Sequence, residues 1–582
     1  MHQNLNNTKY YRYTIYTILL FFLGVMLFSI VFAISRTGIK GGILEFISNY
    51  YITYIFIFSM TSLLLVIDIS KLRSLIHDFK KLMNKKVLYF FFAFILLQAF
   101  LLGAYSLYND RIDTDEARLL YDAYLAKEGK VPFVDYLSRA PLLVRGLEIL
   151  VAFFGPAATL SIVQVLIALS MVVSTLLVTL ITFYLFRNIR VAIVALFLFA
   201  INPLIPNFLH IKTQTFMLPL VLIAILFFLF YIESNNLRHL LSSAIIFGIA
   251  HNIRELVFVY MGVCTAYYII YKYREGLKQL VKNILIFWVI FVILGLSFSV
   301  IMSLLSENIS VSGAAFSTSF LDLAHIDLER FIHDGIYVQS LVFIPIVYFL
   351  YYLNQLTTMR KDIVRDNGGL FILFWFIFLV AAYIYNWIRA GFWGEYYMEF
   401  MPVVSIMGAL LSHHIFIALI EKIKQIQHSW LAIGIKLILI VPIALILFSI
   451  LGNMIYVDHK VGPLYTETRA IKVAEFIESK NITIDGQNLI LTGDPIYAYF
   501  SERINIDSIS HIHSKSPLAI GNVYEKFVDS DINLVVEDTY TRIWYDAYPP
   551  LEKYVEINFE QIYDNEGVKV YMRTLNTQEK TH

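Results

Sequence analysis

The chain has 582 residues, of which 58% are hydrophobic and only 15% charged, and its mean hydropathy is +0.68. Soluble domains carry about 45–50% apolar and about 25% charged residues, so this composition excludes an ordinary soluble protein. Lys and Arg number 45 against 44 Asp and Glu, which excludes the strongly basic character typical of nucleic-acid-binding proteins. The single cysteine, Cys264, can form no intramolecular disulfide.

Apolar runs of membrane-spanning length recur along the first 455 residues or so. A helix of roughly 20 apolar residues crosses a hydrocarbon core of about 30 Å, and about thirteen such spans are predicted. They lie near 13–34, 50–69, 87–108, 157–186, 190–207, 212–232, 239–252, 255–273, 283–304, 336–356, 369–388, 399–420 and 430–453. The predicted fold class is therefore a polytopic α-helical membrane protein.

Basic residues set the predicted orientation in the membrane. The densest basic segment in the first half of the chain, 71–86, lies between the second and third predicted spans. Loops rich in Lys and Arg stay on the cytoplasmic side, so this segment is predicted to be cytoplasmic. The N-terminus is then cytoplasmic, the C-terminus lies outside, and the chain is predicted to be a multi-pass protein of the plasma membrane.

A polar segment at about 109–156 is predicted to be the first large outer loop. It opens with Asp113, Asp115 and Glu116, followed by a helical pattern at 117–135 that Gly129 interrupts. Acids at a helix N-terminus can be purely structural, because they stabilise the helix dipole. Charges beside a span are costly and usually functional, and partial desolvation makes a carboxylate a stronger base. Asp115 is therefore a candidate general base.

Two arginines at predicted membrane boundaries are candidate site residues. Arg139 precedes an amphipathic stretch, Pro141–Phe154, which is too short to span and is predicted to lie at the interface. Arginine snorkels readily at such a position, but its planar guanidinium also matches a phosphate group. Arg254 and Glu255 lie between two predicted spans. Adjacent helical residues do not face each other, and charges at that depth favour a polar cavity over a structural ion pair.

An aromatic and polar cluster lies near 389–402. It contains Arg389, Glu395, Tyr396 and Tyr397. An aromatic belt at the membrane surface explains much of this composition, but aromatic faces also stack on sugars, so the cluster is a candidate pocket wall. Histidines and acids near 325–334 match no metal-site spacing and are interpreted as a solvated loop. No cofactor is expected, and a divalent metal held by outer-loop acids stays open as an alternative.

The composition changes after about residue 455, where the apolar runs end. Helices and strands are predicted to alternate there, at Thr466–Lys480, Asn488–Leu491, 520–529, Ile532–Val536, 540–547 and Val568–Met572. The predicted domains are therefore a membrane domain at 1–455 and a small extracytoplasmic α/β domain at 456–582.

Three motifs of the first outer loop, in this order, resemble those of the GT-C glycosyltransferases. They are Asp115-Glu116-Ala117-Arg118, Glu128-Gly129-Lys130-Val131-Pro132-Phe133 and Ser138-Arg139-Ala140-Pro141-Leu142. The branch they resemble is that of the protein O-mannosyltransferases and lipid A aminoarabinose transferases. Later landmarks of the family are similar to Asn202-Pro203, Arg254-Glu255 and Tyr396–Pro402. The extra pair of N-terminal spans and Ala140, where a first proline is common, depart from the pattern.

The resemblance implies a GT-C-like fold and an inverting transferase. It would move a monosaccharide from a polyprenyl-phosphate donor to an acceptor hydroxyl on a glycan, lipid or protein at the outer face. Asp115 would be the base and Glu116 a supporting carboxylate. Arg139, together with Arg254 and Arg389, would bind the donor phosphate. The rest of the pocket would be formed by Asp113, Arg118, Glu255, Glu395, Tyr396 and Tyr397.

A transporter or flippase of lipid-linked sugars is the alternative function. That class predicts ionisable residues along a central path and, often, internal repeats. The sequence shows no clear repeat, and its notable charges gather on one predicted face of the membrane. An inactive scaffold would be expected to lose the first-loop acids, and these are present. The sequence therefore favours the transferase.

Overall fold

A computed structural model describes residues 52–108, 112, 114–130, 140–200, 211–254, 256–272, 276–296, 344–352, 367–390, 397–425, 467–480, 489–505, 517–530, 532–565 and 567–574. Contacts divide the chain into two compact units. The first comprises Met1–Ala104, Leu166–Leu209 and Thr213–Lys460, and the second Tyr105–Val165, His210–Lys212 and Val461–His582. The contacts thus group the predicted first outer loop with the C-terminal region, whereas the sequence predicted one boundary near residue 455.

The described helices and strands follow one another in a largely helical chain with a small C-terminal sheet. In chain order they are α1 (Ile52–Val66), α2 (Ser70–Leu82), α3 (Lys85–Tyr108), α4 (Thr114–Lys127), α5 (Pro141–Phe186), α6 (Ile189–Ala200), α7 (Thr213–Ser234), α8 (Leu237–His251), α9 (Val257–Lys272), α10 (Leu277–Phe291), α11 (344–352), α12 (Asn367–Ala390), α13 (Tyr397–Gln425), α14 (Glu467–Ser479), β1 (Leu489–Thr492), α15 (Pro495–Phe500), β2 (Ile504–Asn505), α16 (Pro517–Val528), β3 (Leu534–Glu537), α17 (Thr539–Ala547), α18 (Pro549–Asn558), β4 (Phe559–Asn565) and β5 (Val568–Arg573).

Four of the described helical stretches are long and apolar enough to cross a membrane. They are Lys85–Ala104, Leu142–Phe186, Thr213–Ser234 and Leu277–Gly295. Three of them have 19 to 22 residues, close to the roughly 20 that a bilayer requires, and Leu142–Phe186 has 45. The prediction of a multi-pass membrane protein is confirmed. The total of about thirteen spans stays a prediction, since 13–34 and 430–453 lie outside the described residues.

Polar side chains join the apolar helices of the first unit. Gln98 on α3 donates a hydrogen bond to Thr175 on α5 at 2.9 Å. Asn283 on α10 donates to the hydroxyls of Tyr231 and Tyr268, at 2.7 and 2.9 Å, and these two hydroxyls lie 3.0 Å apart. Hydrogen bonds between helices are common in membrane bundles, where an unpaired polar group would be costly. This network fixes α7, α9 and α10 against one another.

Helix α5 changes its backbone conformation at one glycine. Gly155 has φ 77° and ψ 172°, and Pro156 follows it inside the helix. Glycine adopts this region at little cost, and proline lacks the N–H that would continue the helix. The hydroxyl of Thr159 donates to the Gly155 carbonyl at 2.7 Å. The sequence predicted the end of one helix at Phe154 and the next span near residue 157, and the break at Gly155 lies between them. The interfacial position of Pro141–Phe154 stays a prediction.

The second unit contains a five-stranded mixed sheet in the order β2-β1-β3-β5-β4. The pairs β1–β2 and β1–β3 are parallel, whereas β5 pairs antiparallel with both β3 and β4. One face of the sheet packs on a core that includes Phe527, Val535, Trp544, Leu551 and Phe559. The prediction of a C-terminal sheet is therefore confirmed, while its independence as an extracytoplasmic domain stays a prediction.

Two strands and two helices of this region were not predicted. Strand β2 has only two residues, too few for a recognisable alternation. Strand β4 has the sequence Phe-Glu-Gln-Ile-Tyr-Asp-Asn and lies at the sheet edge, where polar residues are common. Helices α15 and α18 each begin at prolines. Proline is favoured in the first turn of a helix, but in a sequence it is also typical of loops, so these two helices were not recognised.

Candidate active site

Helix α4 carries two of the predicted catalytic acids in its first turn. Asp115 and Glu116 directly follow its first residue, Thr114. The Glu116 side chain is 3% exposed, and its carboxylate accepts a hydrogen bond from the backbone N–H of Ile211 at 2.5 Å. Both the helix N-terminus and a backbone donor stabilise a buried carboxylate. Glu116 therefore ties α4 to Ile211 of the same unit, and its predicted role beside the base stays a prediction.

Helix α4 is held by the C-terminal part of the second unit. The hydroxyl of Tyr121 accepts a hydrogen bond from the backbone N–H of Asn505 in β2 at 2.6 Å. At the other end of α4, Lys127 forms an ion pair with Glu502 at 3.3 Å. In the same unit, the hydroxyl of Tyr499 on α15 donates to the carbonyl of Pro156 at 3.0 Å. The residues around Asp115 are thus positioned by chain that lies almost 400 residues further on.

Four charged side chains near the first outer loop lie inside this unit. Glu116, Arg118, Asp122 and Lys212 are all buried. Charges are removed from water only where other groups compensate them. Arg118, which was predicted to line the pocket, belongs to this set. Lys212 was not predicted, although a lone lysine between two apolar runs is a signal that could have found it.

Burial also changes the acid–base behaviour of α4. The ring of Tyr124 stacks on that of Tyr121 with centroids 6.2 Å apart. Burial, helped by the negative charges of Glu128 and Glu502, raises the pKa of Tyr124 well above its usual value. Burial likewise lowers the pKa of Arg503. The surroundings of α4 therefore disfavour new charge, as expected of a partly dry site.

A second group of polar side chains lies in the first unit, around the predicted site residue Arg254. The Nε of Arg254 lies 2.8 Å from Oε1 of Glu399, whose side chain is fully buried, while that of Arg254 is 15% exposed. The contact is an ion pair whose angle falls outside that of a directed hydrogen bond. The hydroxyl of Tyr260 donates to the other Glu399 oxygen at 3.4 Å. The pair joins the turn between α8 and α9 to the first turn of α13.

The guanidinium of Arg254 has a second partner at the start of α7. Its Nη1 donates to the hydroxyl of Thr213 at 3.2 Å, and that hydroxyl donates to the side-chain carbonyl of Gln214 at 3.2 Å. The hydroxyl of the next residue, Thr215, contacts the sulfur of Met398 at 3.9 Å. Three helix termini therefore converge on one arginine. Anchoring a planar guanidinium along two edges fixes the plane in which it can meet an anion.

Hydrogen bonds of a neighbouring residue, Asn252, stabilise the turn that carries Arg254. Helix α8 ends at His251, and the side-chain amide of Asn252 donates to the carbonyls of Gly248 and Leu294 at 2.9 and 2.8 Å. Leu294 lies in a π-helical turn, Val292–Leu296, a conformation that often marks functional sites. A Cβ at Gly248 would lie 2.8 Å from the Leu294 Cβ, so a larger residue would push the π-helical turn away. This packing fixes the backbone next to Arg254.

The remaining predicted site residues divide into two groups. Asp115, Arg389 and Tyr397 lie on the described backbones of α4, α12 and α13, but their side chains are outside the description. The predicted residues outside the described chain altogether are Asp113, Arg139, Glu255, Glu395 and Tyr396. Their predicted roles stay predictions.

Glu399 is another residue that the site predictions missed. It stands two positions after Tyr397, inside a helix whose next residues are apolar. A carboxylate within an apolar helix is costly and normally has a partner, and this signal could have singled it out. Its partner lies in a distant part of the chain, so the pairing itself needed the three-dimensional structure.

The described residues include no group of three or more His, Cys, Asp or Glu placed to hold a metal ion. Asp113 and the acids at 322–334 lie outside the described residues. The expectation that no metal is needed therefore stays a prediction.

Comparisons with known proteins support the resemblance. A family model described as dolichyl-phosphate-mannose-protein mannosyltransferase matches residues 140–302, a range that contains Arg254. No curated protein matches the sequence at a significant level. Among solved structures, ArnT from Cupriavidus metallidurans bound to undecaprenyl phosphate has a TM-score of 0.55 at 13% identity, over 85% of this chain and 99% of that one.

Further solved structures have similar identity. The same ArnT in the apo state has a TM-score of 0.54 at 13% identity, over 83% of this chain and 98% of that one. The apo oligosaccharyltransferase of Archaeoglobus fulgidus has a TM-score of 0.46 at 15% identity, over 83% and 75% of the two chains. The chain therefore shares the fold of ArnT, and together with the family match over residues 140–302 this likeness confirms the predicted resemblance.

Proposed function

We propose that the protein is an inverting glycosyltransferase that uses a polyprenyl-phosphate-linked monosaccharide as donor. The observation that carries the proposal is the buried pair of Arg254 and Glu399 at the convergence of three helix termini. A cation held this firmly beside apolar helices suits the anionic head of a lipid donor. The fold likeness to ArnT, which was crystallised with undecaprenyl phosphate, and the family match over 140–302 support the same donor class.

The proposed reaction is a single displacement at the anomeric carbon of the donor sugar. The bond from that carbon to the phosphate oxygen breaks, and a bond to the acceptor oxygen forms. Asp115 takes the proton of the acceptor hydroxyl as general base, and the lipid phosphate leaves with the bonding electron pair. Glu116 supports the first turn of α4 through its bond to Ile211. Loss of Asp115 therefore removes the proton acceptor while leaving this contact in place.

Cationic side chains offset the charge that grows on the leaving phosphate. Arg254 has this role in the proposal, and Glu399 and Thr213 hold its guanidinium plane. Preorganised charges are effective because they need no reorientation during the reaction. Arg139 and Arg389 are proposed as further phosphate ligands. The pocket wall is proposed to include Arg118 and the residues Asp113, Glu255, Glu395, Tyr396 and Tyr397.

The acceptor is proposed to be a hydroxyl of a glycan, lipid or protein at the outer face of the plasma membrane. This side follows from the basic segment 71–86, which places the N-terminus in the cytoplasm by the positive-inside rule. The C-terminal region then lies outside together with the first outer loop.

The test is donor turnover by full-length protein reconstituted in lipid vesicles. Radiolabelled polyprenyl-phosphate sugars would be offered one at a time, with cell-envelope extract as the source of acceptor. Wild type would be compared with Asp115→Asn and with Asp546→Asn, which neutralises an exposed acid on α17. We expect one donor to be consumed, and only when extract is present. Its turnover should fall at least about 100-fold with Asp115→Asn and should be unchanged with Asp546→Asn.

Full activity of Asp115→Asn would refute the assignment of the base. If correctly folded wild-type protein turned over none of the donors, the transferase proposal itself would fail. Flux of lipid-linked sugars across the same vesicles would then be the measurement, because a flippase is the alternative function.

A further inference from the structure

Helix α2, which connects α1 to α3, lies against the ends of several apolar helices of the first unit. The ring of Phe79 packs edge-to-face on Phe91 of α3 and Phe183 of α5, with centroids 5.6 and 5.1 Å apart. At its other end, Lys71 forms an ion pair with Glu233, the penultimate residue of α7, at 3.2 Å. Helix α2 is thus fixed to three other helices, although the sequence predicted only a basic loop here.

These contacts place α2 along one face of the membrane. The stretch of α3 that can cross the membrane begins at Lys85, that of α5 ends at Phe186, and that of α7 ends at Ser234. All three ends therefore mark a membrane boundary, and α2 contacts each helix near that end. A helix of 13 residues is about 20 Å long. Because both of its ends are fixed at the same boundary, α2 runs parallel to the membrane surface.

Helix α2 has two contrasting faces. Leu75, Phe79 and Met83 point into the protein and are buried. The other side carries four exposed residues at helical spacing: Ile69, Arg73, Ile76 and Lys80. Ile69 immediately precedes the helix. Ile69 is 38% and Ile76 is 47% exposed. The outward face therefore alternates branched apolar side chains with cations.

The cations on this side lie apart from the acids that the structure describes. Arg73, Lys80, Lys81, Lys85 and Lys86, which we call the basic face, are all exposed, and none has an ion-pair partner in the described part of the chain. Lys71 is different, because Glu233 neutralises it. Asp78 is the single acid between residues 69 and 86. Five cations with no ion-pair partner among the described residues are therefore gathered at the membrane boundary.

We propose that the basic face binds the anionic phospholipid headgroups of the leaflet that α2 borders. Cations on an amphipathic helix attract an anionic surface, while neighbouring apolar side chains enter the boundary between headgroups and acyl chains. Long Lys and Arg side chains reach headgroup phosphates while their stems stay among apolar atoms. The site is independent of the proposed transferase activity, since it uses none of the same residues.

The experiment measures which lipids the full-length protein retains. Protein on affinity resin is equilibrated with mixed micelles containing equal amounts of phosphatidylglycerol and phosphatidylcholine, and the bound lipids are quantified by mass spectrometry. A cation close to an anionic surface contributes about fivefold in binding. We expect wild type to be enriched in phosphatidylglycerol, and R73Q/K80Q/K81Q to lose at least about threefold of that enrichment.

The matched control removes the same charge elsewhere. K472Q/K526Q/K553Q neutralises three exposed lysines on α14, α16 and α18, and we expect its lipid ratio to equal that of wild type. The same ratio in wild type and R73Q/K80Q/K81Q would overturn the proposal. So would an equal loss in both triple variants, since that would reflect net charge alone.

A salt titration of wild type tests the proposal without any variant. Raising the salt from about 0.1 to 1 M shortens the Debye length from about 10 to 3 Å, so we expect the enrichment in phosphatidylglycerol to fall strongly. An enrichment that high salt leaves unchanged would show that the headgroup charge is not what the protein recognises. This arm decides the question if R73Q/K80Q/K81Q proves too unstable to purify.

Discussion

The guanidinium of Arg254 and the carboxylate of Glu399 lie 2.8 Å apart, although one stands between α8 and α9 and the other in the first turn of α13. Removing one partner of a buried ion pair leaves an uncompensated charge, which typically costs about 3–5 kcal/mol. Because Arg254 is partly exposed, we expect Arg254→Gln and Glu399→Gln each to lose about 3 kcal/mol in the free energy of unfolding. Thermal unfolding of each purified variant measures this loss.

The double variant R254Q/E399Q separates a true pair from two independent residues. Residues in one ion pair show coupling energies of about 0.5–3 kcal/mol, so the double variant should lose clearly less than both single variants together. In transferase assays, Glu399→Gln introduced alone should lower turnover. The same substitution added to Arg254→Gln should have no further effect. Additive losses in both measurements would mean that Glu399 does not act through Arg254.

Gly155 gives a second prediction, on the break in α5. Its φ of 77° with ψ of 172° lies in a region that only glycine occupies readily, and no heavy atom lies within 4 Å of a Cβ placed there. Gly155→Ala should therefore cost about 1–3 kcal/mol through backbone strain alone. Gly146→Ala is the control, because Gly146 lies within the same helix with equally open space.

Gly146→Ala should raise the thermal midpoint, since alanine favours a regular helix by about 0.5–1 kcal/mol. The two substitutions add the same methyl group, so opposite signs would show that conformation decides the outcome. If both variants were stabilised, α5 would be continuous through residue 155.

The sequence predicted the apolar helices and their breaks well because these depend on local chemistry. Helix α3 contains a long apolar run after Lys86. Gly129, with φ 80°, lies in the turn that follows α4, and Gly155-Pro156 interrupts α5. Each of these signals lies within the element that it defines. Apolar length and glycine or proline punctuation were enough to place them.

Tertiary relationships could not be predicted in the same way. Nothing near Arg254 in the sequence indicates that its partner is Glu399, and nothing in α4 indicates that Tyr121 bonds to Asn505. Helix α2 was missed for another reason. The sequence predicted only a basic cytoplasmic segment there, whereas Leu75 and Phe79, which are buried along one side, define an amphipathic helix.

The hydrogen bond from Asn505 to Tyr121 leads to a third prediction. Tyr121→Phe would leave the buried N–H of Asn505 without this acceptor, at a cost of about 1–3 kcal/mol. Tyr124→Phe is the matched control, because it removes a hydroxyl from the same helix and keeps the stacked ring. The midpoint of thermal unfolding should therefore be clearly lower for Tyr121→Phe than for Tyr124→Phe.

Turnover tests whether this contact also positions Asp115. If β2 steadies α4 in its catalytic position, Tyr121→Phe should lower kcat more than it raises the KM for the donor. Equal kinetics for the two variants would limit the contact to stability.

Tyr545 provides the last prediction, on stability and its dependence on pH. Its hydroxyl is buried in the core beside the sheet and has no hydrogen-bond partner among the described residues. An unpaired buried hydroxyl costs free energy, so Tyr545→Phe should be neutral or stabilising by about 1 kcal/mol at pH 7. Tyr571→Phe is the contrast, because Tyr571 donates to Glu537 at 2.8 Å; its loss should destabilise by about 1.5 kcal/mol.

Alkaline pH tests the same residue in a second way. Burial, aided by the charges of Glu537 and Asp538, raises the pKa of Tyr545 well above its usual value. The unfolded chain releases that proton near pH 10 while the folded chain keeps it, so stability falls as the pH rises above about 10. Tyr545→Phe removes the ionisable hydroxyl and with it this loss of stability. The thermal midpoint of the variant should therefore decline less steeply than that of wild type between about pH 9 and 11. Parallel declines would mean that Tyr545 ionises as readily in the folded protein as in the unfolded chain.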